Sequence, residues 1–257
     1  EDTTLSSQDY GLWLIADGMG GHDAGEIASQ IVKDSVLESI QNGKKLKESI
    51  EKSHFDVKHA AANNIGSPNM GTTIVALLSH GSHYQIGWVG DSRAYLWNAN
   101  DSMLRQISKD HSYVQALVDA GTISKADMDT HPQRNIITQS LGVSELESVA
   151  VDILEGEWHP GDKILLCSDG LTDLVSDSEI AHLFRKHRHQ SNQALVDILI
   201  NTALEKGGID NVSVQIISAP ENPSGMQDSE SSQHRHLPGL IVLGTVLSAG
   251  LIWLLAR

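Results

Sequence analysis

The chain has one cysteine, Cys167, among its 257 residues, which excludes an internal disulfide and a cysteine-rich zinc site. It fits a reducing compartment. Cations are scarce: 18 Lys and Arg stand against 33 Asp and Glu, for a formal net charge of −15. That balance makes attraction to a phosphate backbone unfavourable, and no basic cluster interleaved with aromatics offsets it, so the sequence predicts no nucleic-acid partner. Several signatures are missing as well. There is no Gly-Lys-Ser/Thr P-loop, and Asp23 stands where a dinucleotide fingerprint starting at Gly18 needs glycine. The Asp-x-Asp-x-Thr of phosphatases that form an aspartyl intermediate does not occur. There is no internal repeat and no signal-peptide pattern, and the chain starts at Glu1 without a methionine, which reads as a fragment or a processed product.

What is present suffices for a large core, since 40% of residues are hydrophobic. Short apolar or alternating runs predict strands at Leu12–Ala16, Thr73–Ser79, Tyr84–Val89, Ala94–Trp97, Ile164–Cys167 and Val212–Ile217. Helical spacing appears at Glu26–Ile40, Leu46–Asn63, Tyr113–Ala120, Ser178–Lys186 and Asn192–Glu205. Successive strands separated by short turns such as HGSH and GDSR favour antiparallel sheets with helices packed outside. Composition breaks near residue 219. Residues 219–236 are polar and hold Pro and Ser, as in a flexible linker, and residues 237–256 are twenty in a row without a charge. A helix of that length spans roughly 30 Å, the hydrocarbon thickness of a bilayer, and Trp253 near its end suits an interface. A buried core helix is the alternative. Gly244 and Ser248 form a small-xxx-small pair that could join two such spans.

Aspartates recur at strand ends. LIADG (Asp17), WVGDS (Asp91) and LLCSDG (Asp169) each close an apolar run with aspartate beside a small residue, and GGIDNVSV (Asp210) precedes one. A single such residue is ordinarily a solvated turn or a helix cap. Four at the ends of one sheet system can converge, and converging carboxylates repel unless a cation neutralises them. All-oxygen ligands select hard ions such as Mg²⁺ or Mn²⁺ over zinc. The glycines of DGMGG then have a use: Gly18 lets a backbone carbonyl face the same ion. His22 beside them is a candidate proton donor or a helix-start cap. Cys167 reads as core packing, and RKHRHQ (185–190) as a solvated helix end.

The chain resembles the metal-dependent protein serine/threonine phosphatases of type 2C, in particular their bacterial branch. ED at Glu1, DGMGGHDAGEIAS, MGTT at Met70, GDSRAYL at Gly90, KDHSYV at Lys109, HPQRNIITQSLG at His131, GDKILLCSDGLTDLV at Gly161 and GGIDNVSV at Gly207 follow the family's order over about residues 1 to 217. The resemblance implies an α+β fold, a four-layer αββα sandwich of two antiparallel sheets flanked by helices. It implies a catalytic domain at 1–218, to which the composition adds the linker at 219–236 and a C-terminal transmembrane helix at 237–256. It also implies two Mn²⁺ or Mg²⁺ ions: Asp17 bridging both, Gly18 giving its carbonyl, Asp169 and Asp210 completing one shell, Glu1 serving the other ion and Asp2 orienting bound water. Asp91 with Asp169 matches a third metal site, and residues from about Ala120 to Asn135 match a flap that selects substrates. Relatives carry a strand and an arginine before their Glu-Asp pair, and the sequence here begins at the pair itself. The expected activity is hydrolysis of phosphoserine and phosphothreonine in proteins by a metal-bridging hydroxide. With the span, it places a cytoplasmic catalytic domain on the bacterial inner membrane, beside a membrane-linked Ser/Thr kinase. The rival is a catalytically silent phosphoprotein-binding regulator on the same fold.

Overall fold

Leu12, Leu14 and Ala16 point to one side of their strand and Ile15 to the other, and none of the four has exposed surface. A strand buried on both faces must be covered on both. In the computed structural model, which describes residues 1–21, 23–143 and 147–221, that requirement is met by four layers.

One sheet runs in the order β1 (Thr3–Ser7), β2 (Leu12–Ala16), β5 (Ile74–His80), β6 (His83–Val89), β9 (Asp152–Glu157). The other runs β11 (Val214–Ser218), β10 (Lys163–Cys167), β7 (Arg93–Asn98), β8 (Met103–Gln106). A two-stranded ribbon joins β3 (Gly18–Met19) to β4 (Gly71–Thr72), and every one of these pairings is antiparallel. Helices α1 (Asp23–Gln41) and α2 (Leu46–Ala62) cover the first sheet. The second is covered by α4 (Asp169–Thr172), α5 (Asp177–Lys186) and α6 (Asn192–Glu205). Between β8 and β9 lies α3 (Tyr113–Asp119).

Three apolar interfaces hold the layers. Leu12, Leu14, Ile74 and Ala76 meet Val32, Val36, Ile50 and Val57 of α1 and α2. Ile15, Val75, Leu77 and Ile86 meet Ile164, Leu166 and Ile217 between the sheets. Leu165, Cys167 and Tyr95 meet Ile180, Phe184, Leu195 and Leu199 of α5 and α6. Cys167 is thus core, facing the helices, and burial pushes its thiol up to about 12.

The expected strand at Leu12–Ala16 and the expected helix at Asn192–Glu205 keep their limits, and the other expected elements shift by up to three residues. The strand expected from Val212 begins at Val214, because residues 211–213 are drawn into the turn that carries Asp210. Unforeseen were β1, β8, β9, the short ribbon and α4. The expected linker and span at 219–236 and 237–256 lie outside the described residues from 222 onward. The chain divides into the units Glu1–Met226 and Gln227–Arg257, and the second is wholly outside the described residues. Among the described residues no helix is long and apolar enough to cross a membrane.

Candidate metal centre

Both sheets end at the same place. β2 runs out at Ala16, and the next residue, Asp17, is fixed through its backbone by the MGTT segment. Its N–H donates to Thr73 Oγ1 (3.2 Å), while its carbonyl accepts from Thr73 N–H (2.8 Å) and Thr72 Oγ1 (2.8 Å). Thr73 Oγ1 also shares a 2.8 Å hydrogen bond with Ser92 Oγ, next to Asp91 in the turn from β6 to β7. From the second sheet, β10 ends at Cys167 and Asp169 opens α4. Ser168 N–H donates to Ser213 O (3.1 Å) and Ser213 N–H to Ser168 Oγ (3.0 Å), which ties Asp169 to the turn carrying Asp210.

These constraints place Asp17 and Asp169 in side-chain hydrogen-bond contact. Burial, then the Asp169 and Asp2 carboxylates, raise the Asp17 pKa far above the usual range, which favours its protonated form when no cation is bound. Asp169 is also raised, chiefly by burial, with Asp173, Asp210 and Asp2 adding to it. Asp91, 9% exposed, is pushed up to about 8 by burial first and then by Asp169 and Asp110. Asp17, Asp91 and Asp169 are therefore each shifted by neighbouring expected acids, with Asp2 acting on Asp17 and Asp169, and Asp210 on Asp169.

Glu1 enters by a different contact. Its carbonyl accepts from Ser29 Oγ of α1 (2.8 Å), and its carboxylate lies against Gly25, where a Cβ would run into Glu1 Oε2. Gly18 is glycine for a packing reason as well: a Cβ there would collide with the Gly25 carbonyl. Asp210 is exposed and accepts from Asn211 N–H (2.7 Å). His22 lies outside the described residues.

Among the described residues no three His, Cys, Asp or Glu side chains stand as a ready-made cage for an ion. The donor set nevertheless fits one. Asp169 Oδ1 and Asp2 Oδ2 are buried without any hydrogen-bond partner, and a buried carboxylate oxygen without a donor is costly unless a cation meets it. Among the described residues the groups that converge here are carboxylates, hard oxygen donors that suit Mn²⁺ or Mg²⁺.

A cavity of about 400 Å³ opens beside the acids, lined by Asp91, Asp169 and Asp173 together with Lys125, Arg134 and Asn135 of the expected flap. Asn135 Nδ2 donates to Asp173 Oδ2 (3.0 Å), joining flap to α4. Behind Asp91, Arg93 donates to both oxygens of Asp110 (2.7 Å at the shortest) and balances part of the acid charge. Thr73, Ser92, Arg93, Asp173 and Arg134 were not singled out by sequence reasoning, although all but Thr73 sit inside or next to the quoted GDSR, DGLTD and HPQRN segments, and Thr73 closes MGTT.

The protein phosphatase 2C family model matches residues 1–205. The chain is 34% identical over 226 residues to a serine/threonine phosphatase stp of Listeria monocytogenes, covering 84% of this chain and 87% of that protein. A crystal structure of the Mycobacterium tuberculosis serine/threonine phosphatase PstP/Ppp superposes with a TM-score of 0.74 at 35% identity, over 84% of this chain and 89% of that one. The catalytic domain of a serine threonine protein phosphatase PstP in complex with two manganese ions superposes at 0.70 and 32% identity, over 84% and 89%.

Proposed function

The chain belongs to the protein phosphatase 2C family and is a bacterial protein serine/threonine phosphatase; on that premise we propose how its residues divide the work and where it acts. The observation that carries the reading is the Asp17–Asp169 contact between the ends of the two sheets, with buried carboxylate oxygens left unpartnered beside it. Asp17, Asp169, Asp210, Glu1 and the Gly18 carbonyl would hold two Mn²⁺ or Mg²⁺ ions, Asp2 would orient water from beside them, and Asp91 with Asp169 would offer a third, weaker position. When bound, the ions supply Lewis-acid chemistry, neutralising phosphate charge and making water a nucleophile near neutral pH.

The remaining work falls to the chain. Asp17 and Asp169 release the proton they share, and the hydrogen bonds from Thr72 and Thr73 hold the Asp17 backbone so that its carboxylate keeps its aim. Arg134, which lines the same cavity as Asp169, gives planar donors for phosphate oxygens. His22 is the candidate to protonate the departing serine or threonine alkoxide. Cys167 is excluded as a nucleophile, because its thiol is wholly buried and pushed up to about 12. The substrates are phosphoserine and phosphothreonine proteins, and the segment 120–135 beside the cavity selects among them.

Residues 237–256 anchor the enzyme as a single membrane span, with the catalytic unit on the cytoplasmic side beside a membrane-linked Ser/Thr kinase. Support comes from the twenty uncharged residues and the polar stretch that precedes them. Two measurements test the reading. The full chain turns over a phosphothreonine peptide with Mn²⁺ and not with chelator; binding without turnover under either condition establishes the silent regulator instead. Membrane-bound protein resists alkaline and high-salt extraction; release by either refutes the span.

A further inference from the structure

The C-terminal end of α5 has no part in the chemistry above. Its last residues and the turn beyond read RKHRHQ, Arg185–Gln190. Arg185, Lys186 and Arg188 are exposed, as is His189, and none of the three cations pairs with a carboxylate among the described residues. Among the described residues their side chains make one hydrogen bond, from Arg188 to the Arg185 carbonyl (3.2 Å). A helix C-terminus favours a cation, but that accounts for one charge, not three on one corner of a chain with formal net charge −15.

The position of this corner gives it meaning. Asn192, which starts α6, donates from Nδ2 to Ile216 O (3.1 Å) and to Ser218 Oγ (2.9 Å). Ser218 closes β11, and from there the chain leads on to the polar stretch and the uncharged run at 237–256. The basic turn and the departure point of the chain are therefore joined. The register of β10 against β11 places the metal centre at the other end: Lys163 lies opposite Ser218 and Cys167 opposite Val214, with Asp169 just beyond Cys167. Five paired residues at about 3.3 Å each separate the two ends by roughly 15 Å. That exceeds the Debye length of about 8 Å at physiological salt, so a surface touching the basic corner is felt there and is screened from the acidic cleft.

We propose that the Arg185–Gln190 corner is a docking surface for anionic lipid headgroups, holding the catalytic unit against the bilayer with its metal cleft turned away; this rests on reading residues 237–256 as a membrane span. Three cations strengthen association with an anionic surface roughly a hundredfold over a neutral one. Tethering by the span supplies the local concentration that so small a patch lacks by itself.

The test uses the full chain carrying His189→Cys, labelled with a fluorophore; Cys167 is wholly buried and does not compete for the label. The protein is reconstituted into phosphatidylcholine vesicles, with or without about one-third phosphatidylglycerol, each containing a headgroup nitroxide quencher. Quenching should be several-fold greater with phosphatidylglycerol, and it should fall away at about 0.5 M salt. The Arg185→Glu/Lys186→Glu/Arg188→Glu variant should lose it while hydrolysing an aryl phosphate at the wild-type rate. Equal quenching in both lipids, or undiminished quenching in the variant, overturns the docking surface. An alkaline wash reads the span separately. If the chain is released, the same quenching measured on vesicles added to free protein still decides whether the corner binds lipid: an anionic-lipid signal supports it and none overturns it. Quenching that appears only when an acidic protein is added assigns the corner to that class of partner and overturns the lipid reading.

Discussion

Replacing Asp17 with Asn should make the metal-free protein more stable while abolishing activity. Without an ion, burial and the carboxylates of Asp169 and Asp2 keep Asp17 protonated. The unfolded chain gives up that proton above the ordinary value of 3.8, so at pH 7 folding must take one up. At about 1.36 kcal/mol per pH unit the uptake costs about 4 kcal/mol, a figure set by the working pH as long as the folded pKa lies above it. Asparagine has no proton to take up and still donates to Asp169. Allowing for relaxation around the pair, the gain is about 2–4 kcal/mol, or about 5–15 °C in Tm for a domain of this size. The folded form binds more protons than the unfolded form above pH 3.8, so the stability of metal-free wild type declines as pH rises towards and past neutrality. Asp17→Asn flattens that decline by up to about 1.4 kcal/mol per unit. Manganese reverses the ranking, because it binds the ionised acids and stabilises wild type more than the variant. Urea melts of chelator-treated protein between pH 5 and 8, repeated with Mn²⁺ and paired with phosphopeptide turnover, measure each part. A metal-free variant no more stable than wild type, or one with the same pH slope, would refute the shared-proton reasoning.

Thr73→Val keeps the shape of the side chain but removes the hydroxyl that serves both Asp17 N–H and Ser92 Oγ. Two buried polar groups lose a partner, at about 1–3 kcal/mol in sum or slightly more; kcat should fall with KM little changed, and Thr73→Ser should restore both stability and rate. Melts and kinetics of the pair decide it, and a Thr73→Val protein as stable as Thr73→Ser removes the clamp from the account. Cys167→Ser buries a hydroxyl among Tyr95, Ile180 and Leu199, costing about 1–3 kcal/mol while turnover of the folded fraction is kept. Loss of turnover at full folding would return the thiol to the mechanism.

Elements with a regular apolar pattern were legible, and those formed by pairing alone were not. Leu12–Ala16 alternates between two buried faces and reads as a strand unaided. By contrast β9, DILEGE, carries two glutamates and an aspartate on an edge strand and is held by its register with β6, and β1, TTLSS, has one large apolar residue. The ribbon Gly18–Met19 with Gly71–Thr72 is too short for any period to show. At the site, aspartates at strand ends pointed to converging acids, but which pair touches depends on the packing of one sheet on the other. Thr73 illustrates the limit: its hydroxyl matters through Asp17 and Ser92, distant in sequence, and no local pattern announces such a contact. Arg134 and Asn135 were quoted within a motif, yet their place on the cavity wall follows from how the flap folds over α4.

The split origin of the centre also governs when activity can first exist. Asp17 leaves the ribosome early, but the strand that delivers Asp169 needs β11 on its outer edge, and the turn before β11 carries Asp210. A nascent chain short of Ser218 lacks the strand that flanks β10 on its outer edge, and with it the tie between Ser168 and Ser213 that joins Asp169 to the Asp210 turn. Such distant pairings also slow the final assembly. Turnover is thus expected to report that the last strand of the catalytic domain is in place, and a chain clipped before β11 should lose activity more than stability of the first sheet alone would suggest.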